Sequence, residues 1–310
     1  MRSPERVSSP PMVEGPQALR ALMAEIGPRW ALDLRGNSQR VKDAYAPLLA
    51  SAPKAGIAVA RDLAYGTHAR QVMDIFTPPD AARAPVVVFV HGGAFVRGDK
   101  RASDEIYDNV LYWFARQGCV GVNLEYRLAP EAAYPDGTRD VAQAMAWLKM
   151  HVAQHGGDPA RMLLVGHSAG GTHVASYAFA PMWAEGCHAQ AVVLVSARLR
   201  ADQLPGNPNA AGVKAYFGDD ASLYEQRSPV NFAAHGTLPA LIVTAEFENP
   251  LLDVYGLEFA HRMAAARGHA PRYLQMKGHN HMSIVAHFNG GEETLGREIM
   301  DFFSALAPAG

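Results

Sequence analysis

Short, continuous apolar runs alternate along this chain with stretches whose apolar residues recur every three or four positions. Residues 85–90 (Pro-Val-Val-Val-Phe-Val), 119–124, 161–165, 191–195 and 240–244 have the length and the β-branched content of strands buried on both faces. Residues 272–276 predict one further short strand. Between these runs, residues 104–117 set Ile106, Val110, Leu111 and Phe114 on one helical stripe. Residues 136–152 do the same with Val141, Met145, Leu148 and Val152, with Asp136 expected as the N-cap. Helices are also expected over 251–266 and 292–306. Residues 57–65 and 71–76 read as a hairpin around Gly66-Thr67-His68. Strands that alternate with helices imply the α/β class, a mostly parallel sheet with helices on both faces. Residues 199–227, rich in Gly, Pro, Asn and Asp, read as a long surface excursion.

The first 55 residues stand apart from this alternation. Residues 16–26, opened by Pro16, and residues 38–50 predict two helices. They are expected either to pack plainly on the body or to cap a pocket. The organisation read from the sequence is therefore an N-terminal extension or cap over residues 1–55 and a main domain over 56–310.

Composition changes this picture little. Of 310 residues, 49% are hydrophobic, enough for a large core, and the formal net charge of -2 invites neither nucleic acid nor an anionic membrane surface. Two cysteines are too few for a disulfide framework; Cys119 lies in an apolar run and Cys187 in an expected loop. Residues 1–15 are polar and carry proline, without the apolar centre of a signal peptide, and no run approaches membrane-spanning length. A cytoplasmic location is the expectation. Nothing in the sequence decides for or against a homo-oligomer.

The chemistry collects where strands end. Gly166-His167-Ser168-Ala169-Gly170 follows the strand at 161–165 and precedes a helical stretch. That context turns a common G-x-S-x-G pattern into a nucleophile elbow, with the Ser168 hydroxyl exposed at the end of the strand. A serine hydroxyl is a poor nucleophile until an imidazole takes its proton and a carboxylate orients that imidazole. Gly278-His279-Asn280-His281 offers two histidines, of which His281 is preferred and His279 is the alternative. The loop after residue 244 offers Glu246, Glu248 and Asp253. Glu248 is preferred as the acid by its position after the strand, and Asp253 is the alternative at a helix start. The N–H groups of Gly92, Gly93 and Ala94, after the strand at 85–90, and of Ala169 are candidate oxyanion donors. No metal is expected, because His-x-His is a weak ligand signal and no further ligand cluster surrounds it.

His91-Gly92-Gly93-Ala94, Tyr126-Arg127-Leu128-Ala129-Pro130-Glu131 and Gly166-His167-Ser168-Ala169-Gly170-Gly171, in this order, resemble the α/β-hydrolase fold esterases of the hormone-sensitive lipase type. The resemblance covers roughly residues 56–305. It implies an α/β-hydrolase fold, a serine carboxylesterase of short or medium acyl or aryl esters, no cofactor, and an N-terminal cap over the acyl pocket. It also implies that residues 126–131 are a structural turn. Three features depart from the family pattern. Ala94 stands where a third glycine is usual, Glu248-Asn249-Pro250-Leu251 replaces an Asp-Pro-Leu stretch, and residues 278–283 are closer to the feruloyl-esterase-like and arylformamidase-like branches. An arylformamidase or small amidase with the same machinery is the second reading. A non-catalytic ligand-binding hydrolase fold is a third, and a metal-dependent hydrolase built on His279 and His281 a fourth.

Overall fold

The computed structural model describes residues 15–183 and 186–306, so the polar stretch at residues 1–14 lies outside the described residues. The apolar runs become β1 (Ala58–Ala64), β2 (Val72–Thr77), β3 (Ala84–Val90), β4 (Val120–Leu124), β5 (Gly157–His167), β6 (Ala191–Val195), β7 (Ala240–Phe247) and β8 (Arg272–Asn280). They form one sheet in the order β1-β2-β4-β3-β5-β6-β7-β8. The hairpin β1–β2 and the β2–β4 pair are antiparallel, and every other pairing is parallel. The mostly parallel sheet expected from the sequence is the one observed. Parallel register sends the carboxyl ends of β3, β5, β7 and β8 to the same edge, where ligands bind in such sheets.

The helices are α1 (Gly15–Ile26), α2 (Leu34–Ala50), α3 (Asp108–Arg116), α4 (Asp136–His151), α5 (Ala169–Phe179), α6 (Ala210–Phe217), α7 (Tyr224–Arg227), α8 (Leu252–Arg267), α9 (Ser283–Ala286) and α10 (Thr294–Ser304). Alternation along the strands divides the core in two. Val87, Phe89, Leu163, Val193 and Val243 face α1, α2, α3 and α10. Val86, Val88, Leu164, Leu194 and Ile242 face α4, α5 and α8. Burying one such side chain contributes roughly 1.5–3 kcal/mol relative to leaving it in water. Leu19, Met23, Val41 and Tyr45 of α1 and α2 are buried in the first of these cores, so the N-terminal helices share it with the sheet.

Three local expectations are corrected. Helix α3 starts at Asp108 rather than 104, because the Ser103 hydroxyl accepts the N–H groups of Glu105 and Ile106 and closes a turn there. Asp136 is not a cap: its N–H is already bonded to Ala133 O, so the chain has turned before it, and its carboxylate pairs with Arg139 at 2.7 Å. Residues 199–227 are no surface excursion. Val213, Tyr216 and Phe217 of α6 and Tyr224 of α7 are buried with Phe95 and Ala169 in a third small core beside the elbow. The spacing 213, 216, 217 is helical, but it is surrounded by the glycines, prolines and asparagines that mark a loop.

Among the described residues, no helix is long and apolar enough to cross a membrane. Both thiols are unpaired; Cys119 is buried in the core and Cys187 is half-buried.

Two of the buried imidazoles, His173 and His287, contribute to an acid limit on the fold. Burial, and then the charge of His91, holds His173 of α5 down at about 3. Burial, and then the charge of His279, holds His287 at about 4. Tyr216 donates to His173 Nδ1 at 3.3 Å, which suits a neutral ring. Both folded values lie below the ~6.5 of an unfolded histidine. Above that pH neither state binds the proton and the sites contribute nothing. Below it the unfolded chain takes up protons that the folded chain refuses, so stability falls with pH. By pH ~4 each site costs about 3 kcal/mol. The melting temperature is expected to drop steeply between pH ~6.5 and ~4, with a shallower slope in His173→Asn. A melting temperature independent of pH across that window would contradict it.

Candidate active site

The edge formed by the carboxyl ends of β3, β5, β7 and β8 carries the chemistry. Between β5 and α5 the chain turns at Ser168, with φ 56° and ψ -119°. A non-glycine residue in this region is strained by roughly 1–3 kcal/mol and persists only where its surroundings hold it. Here they do. Ser168 N–H bonds to Val195 O at 3.0 Å, and Ser168 O accepts Gly171 N–H at 3.1 Å and Arg198 N–H at 3.0 Å. The flanking glycines are required by close approach. A Cβ on Gly166 would lie 2.7 Å from Gly171 Cα, and one on Gly170 would lie 2.7 Å from the Val90 carbonyl carbon.

His281 follows β8 and Glu248 follows β7. The register of these strands jumps between Ala245 and Phe247, and Phe247 pairs with Asn280. That pairing sets Glu248 and His281 side by side. His281 Nδ1 lies 2.5 Å from Glu248 Oε1, and His281 Nε2 lies 3.1 Å from Ser168 Oγ. A carboxylate only accepts, so Nδ1 carries the proton and the Nε2 lone pair faces the hydroxyl. The Glu248 side chain is 3% exposed and also accepts the N–H groups of Asn249 at 2.8 Å and Ala245 at 3.2 Å.

The alternatives go elsewhere. His279 bonds to Ser283 Oγ at 3.2 Å and to Glu292 at 3.0 Å. Asp253 lies in the first turn of α8 and accepts Val254 N–H at 2.9 Å. Glu246 is exposed and accepts Gly278 N–H. His279 and His281 thus turn to different partners. Among the described residues, no group of three or more His, Cys, Asp or Glu side chains is arranged to hold a metal ion.

The loop after β3 is left-handed at three consecutive residues, Gly93 (φ 148°), Ala94 (φ 51°) and Phe95 (φ 71°). The ring of Phe95 anchors it, stacked on Tyr216 with centroids 4.8 Å apart. Residues 210–227 therefore form the wall that holds this loop. Burial pushes the pKa of the Tyr107 hydroxyl, beside this loop, up to about 12. The N–H groups of Gly92, Gly93 and Ala94 make no backbone hydrogen bond among the described residues. The family-like turn is structural, as expected. Tyr126 donates to His91 O at 2.9 Å, and Arg127 forms a forked pair with Asp140. Beneath the loop, His91 Nε2 meets Glu125 at 2.9 Å, and Arg70 contacts the same carboxylate. Burial alone would raise the Glu125 carboxyl, but bonding and charge from His91 and Arg70 outweigh it and hold it low.

Two residues were missed in the sequence. His167 donates from Nε2 to the carbonyl of His281 at 3.0 Å, with the rings 4.8 Å apart. Burial, and then the charge of His281, pushes its pKa well below the usual value, so it stays neutral and positions the His281 loop. It occupies a variable place in G-x-S-x-G, so no local signal marked it. Trp30, after α1, donates to Asn249 Oδ1 at 2.8 Å and ties the N-terminal segment to the Glu248 loop. The inserted Asn249 was the available sign. Above Ser168 and His281 opens a cleft of about 860 Å³, walled by Trp30, Leu34, Tyr107, Met282 and the polar face of α2.

A family model described as BD-FAE matches residues 73–181, about a third of the chain. The probable carboxylic ester hydrolase LipM of Mycobacterium tuberculosis is 36% identical over 121 residues, which is 38% of this chain and 27% of LipM. The esterase LipI of the same organism is 43% identical over 101 residues, 31% of this chain and 29% of LipI. The chain thus spans under a third of the length of these curated relatives. Over nearly the whole chain, an esterase of Pyrobaculum calidifontis superposes with a TM-score of 0.71 at 22% identity, covering 96% of this chain and 100% of that one. A bacterial heroin esterase gives a TM-score of 0.71 at 24% identity, covering 93% and 98%. At these identities the likeness shows the fold.

Proposed function

We propose that this chain, which has the α/β-hydrolase fold its motifs implied, is a serine carboxylic ester hydrolase of short to medium acyl or aryl esters. One observation carries the reading: the continuous hydrogen-bonded line from Glu248 through His281 to Ser168 Oγ, at 2.5 and 3.1 Å. In this mechanism His281 Nε2 takes the hydroxyl proton as Ser168 Oγ adds to the ester carbonyl. Glu248 keeps Nδ1 protonated and stabilises the imidazolium that forms. The N–H groups of Gly92, Gly93, Ala94 and Ala169 receive the oxyanion. One such donor is worth about 3–4 kcal/mol in the transition state. The imidazolium returns its proton to the departing alkoxide, leaving an acyl-Ser168. Water then adds with His281 as base, and the acid is released. Residues 1–55 act as a cap and 56–310 as the catalytic domain; α2 beside the cleft supports that division.

The matched relatives named as esterases support an ester substrate over an amide. An aryl formamide would use the same groups but must expel a poorer leaving group. The test is a side-by-side rate comparison of p-nitrophenyl acetate, p-nitrophenyl butyrate and an N-formyl aniline with purified protein. Esters are expected to react at least about a hundredfold faster in kcat/KM, a difference of ~2.7 kcal/mol in barrier. A formamide preferred over both esters would overturn the ester assignment.

A further inference from the structure

The cap helix α2 presents the wrong face to the cleft for a purely apolar acyl chain. Its apolar residues Val41, Ala44, Tyr45 and Leu49 are buried in the core. Arg35, Ser38, Gln39 and Lys42, spaced i, i+3, i+4 and i+7, form one stripe along the helix, and all four line the cleft that holds Ser168 and His281. The charged residues lining this cleft are four cations, Arg35, Lys42, Arg97 and Arg101, and one carboxylate, Asp99. Arg101 is partly neutralised by Asp62 at 3.5 Å. Among the described residues, the Arg97 guanidinium bonds to the amide oxygen of Asn209 at 3.4 Å and has no carboxylate within salt-bridge distance. Arg35 and Lys42 have no carboxylate within salt-bridge distance among the described residues. Arg40, on the same helix but outside the cleft lining, is paired with Glu25 at 2.8 Å.

This imbalance occurs in a chain whose formal net charge is -2. Unpaired cations around a concave mouth focus the field and raise the local concentration of anions. Carboxylate and phosphate groups are the natural partners of an Arg–Lys pair held on one face.

We propose that the ester opened at Ser168 carries a second, anionic terminus, which Arg35, Lys42 and Arg97 read at the mouth of the cleft. The simplest such substrate is the half-ester of a dicarboxylic acid. The scissile carbonyl sits at Ser168, the connecting methylenes lie against Trp30, Leu34 and Met282, and the free carboxylate reaches the α2 stripe. This rests on the ester hydrolase reading above and adds the substrate class to it.

The test compares kcat/KM for the monoethyl esters of succinate, glutarate and adipate with neutral isosteres, such as ethyl 5-methylhexanoate for monoethyl glutarate. Ethyl 4-phosphonobutanoate provides a phosphonate arm. At least one anionic ester is expected to exceed its neutral isostere by about tenfold or more, and whichever arm does so identifies the anion. The advantage is expected to shrink as salt rises from about 20 to about 200 mM, because exposed charges are screened over a Debye length. Arg35→Gln with Lys42→Gln is expected to lower the anionic-to-neutral ratio about tenfold through KM, and Arg35→Lys with Lys42→Arg to restore most of it. Equal or faster turnover of the neutral isosteres, with a ratio unmoved by salt or by the double variant, overturns the anionic terminus and leaves the ester hydrolase standing. No turnover of any ester, with Ser168 unreactive toward a fluorophosphonate, overturns both.

Discussion

Ser168→Ala is expected to lower kcat for p-nitrophenyl butyrate by about five to six orders of magnitude, the loss typical of deleting a serine nucleophile. The protein should remain folded. Alanine removes only Oγ, whose hydrogen bond is to His281, and keeps the backbone bonds that hold the turn at φ 56°. It carries the same left-handed strain as serine, so the melting temperature should move little. Residual catalysis would come from the oxyanion donors and binding, which act without the nucleophile. Two measurements check this: the burst and steady-state rate of p-nitrophenol release, and the mass increase on treatment with a fluorophosphonate. Wild type should gain one adduct at Ser168, and the variant none. Turnover within tenfold of wild type in a folded variant would remove Ser168 from the chemistry.

The second large effect separates the two carboxylates. Glu248→Gln is expected to reduce kcat/KM about ten-thousandfold, as loss of the orienting acid does in serine hydrolases. A glutamine amide can present a donor to His281 and favour the tautomer whose Nε2 carries the proton, so the ring no longer accepts from Ser168 Oγ. Its carbonyl oxygen cannot stabilise the imidazolium with a full charge. Asp253→Asn is expected to leave kcat/KM within about twofold. That carboxylate is half-exposed in the first turn of α8 and, among the described residues, accepts only its neighbour's N–H. Its removal costs the helix about 0.3–1 kcal/mol through the lost dipole interaction. Rates for the two variants across pH check the pair. Loss of activity in Asp253→Asn alone would transfer the role of the acid to Asp253.

The stripe on α2 and the Trp30–Asn249 bond bear on how the N-terminal segment works. It shares the core of the sheet through Leu19, Met23, Val41 and Tyr45, and it reaches the acid loop through one indole N–H. Helix α2 is thus fixed to the body by packing, and its polar residues Arg35, Ser38, Gln39 and Lys42 line the cleft.

Several features were legible in the residues because their physical cause is local. β-Branched runs of five or six residues become buried strands wherever both sheet faces are covered, and the strand–Gly-x-Ser-x-Gly–helix sequence permits little besides a tight elbow. The order of elements and the clustering of reactive residues after strands follow from those patterns. Choices between near neighbours were not local. His279 and His281 are two residues apart and both buried, and only the register jump between β7 and β8 decides which one reaches Ser168 Oγ. Val213, Tyr216 and Phe217 were hidden by loop-forming neighbours, and only packing on Phe95 shows why they are buried.

By itself, then, the sequence determined the α/β class, the elbow at Ser168 and a short set of partners for it, because propensity, periodicity and turn geometry act over a few residues. Tertiary structure alone decided that Glu248 and His281 line up with Ser168, that His167 holds the His281 carbonyl, and that Arg35 and Lys42 face the cleft. Those relations depend on strand register and helix rotation, which are set by packing between segments as far apart as the 219 residues that separate Trp30 from Asn249.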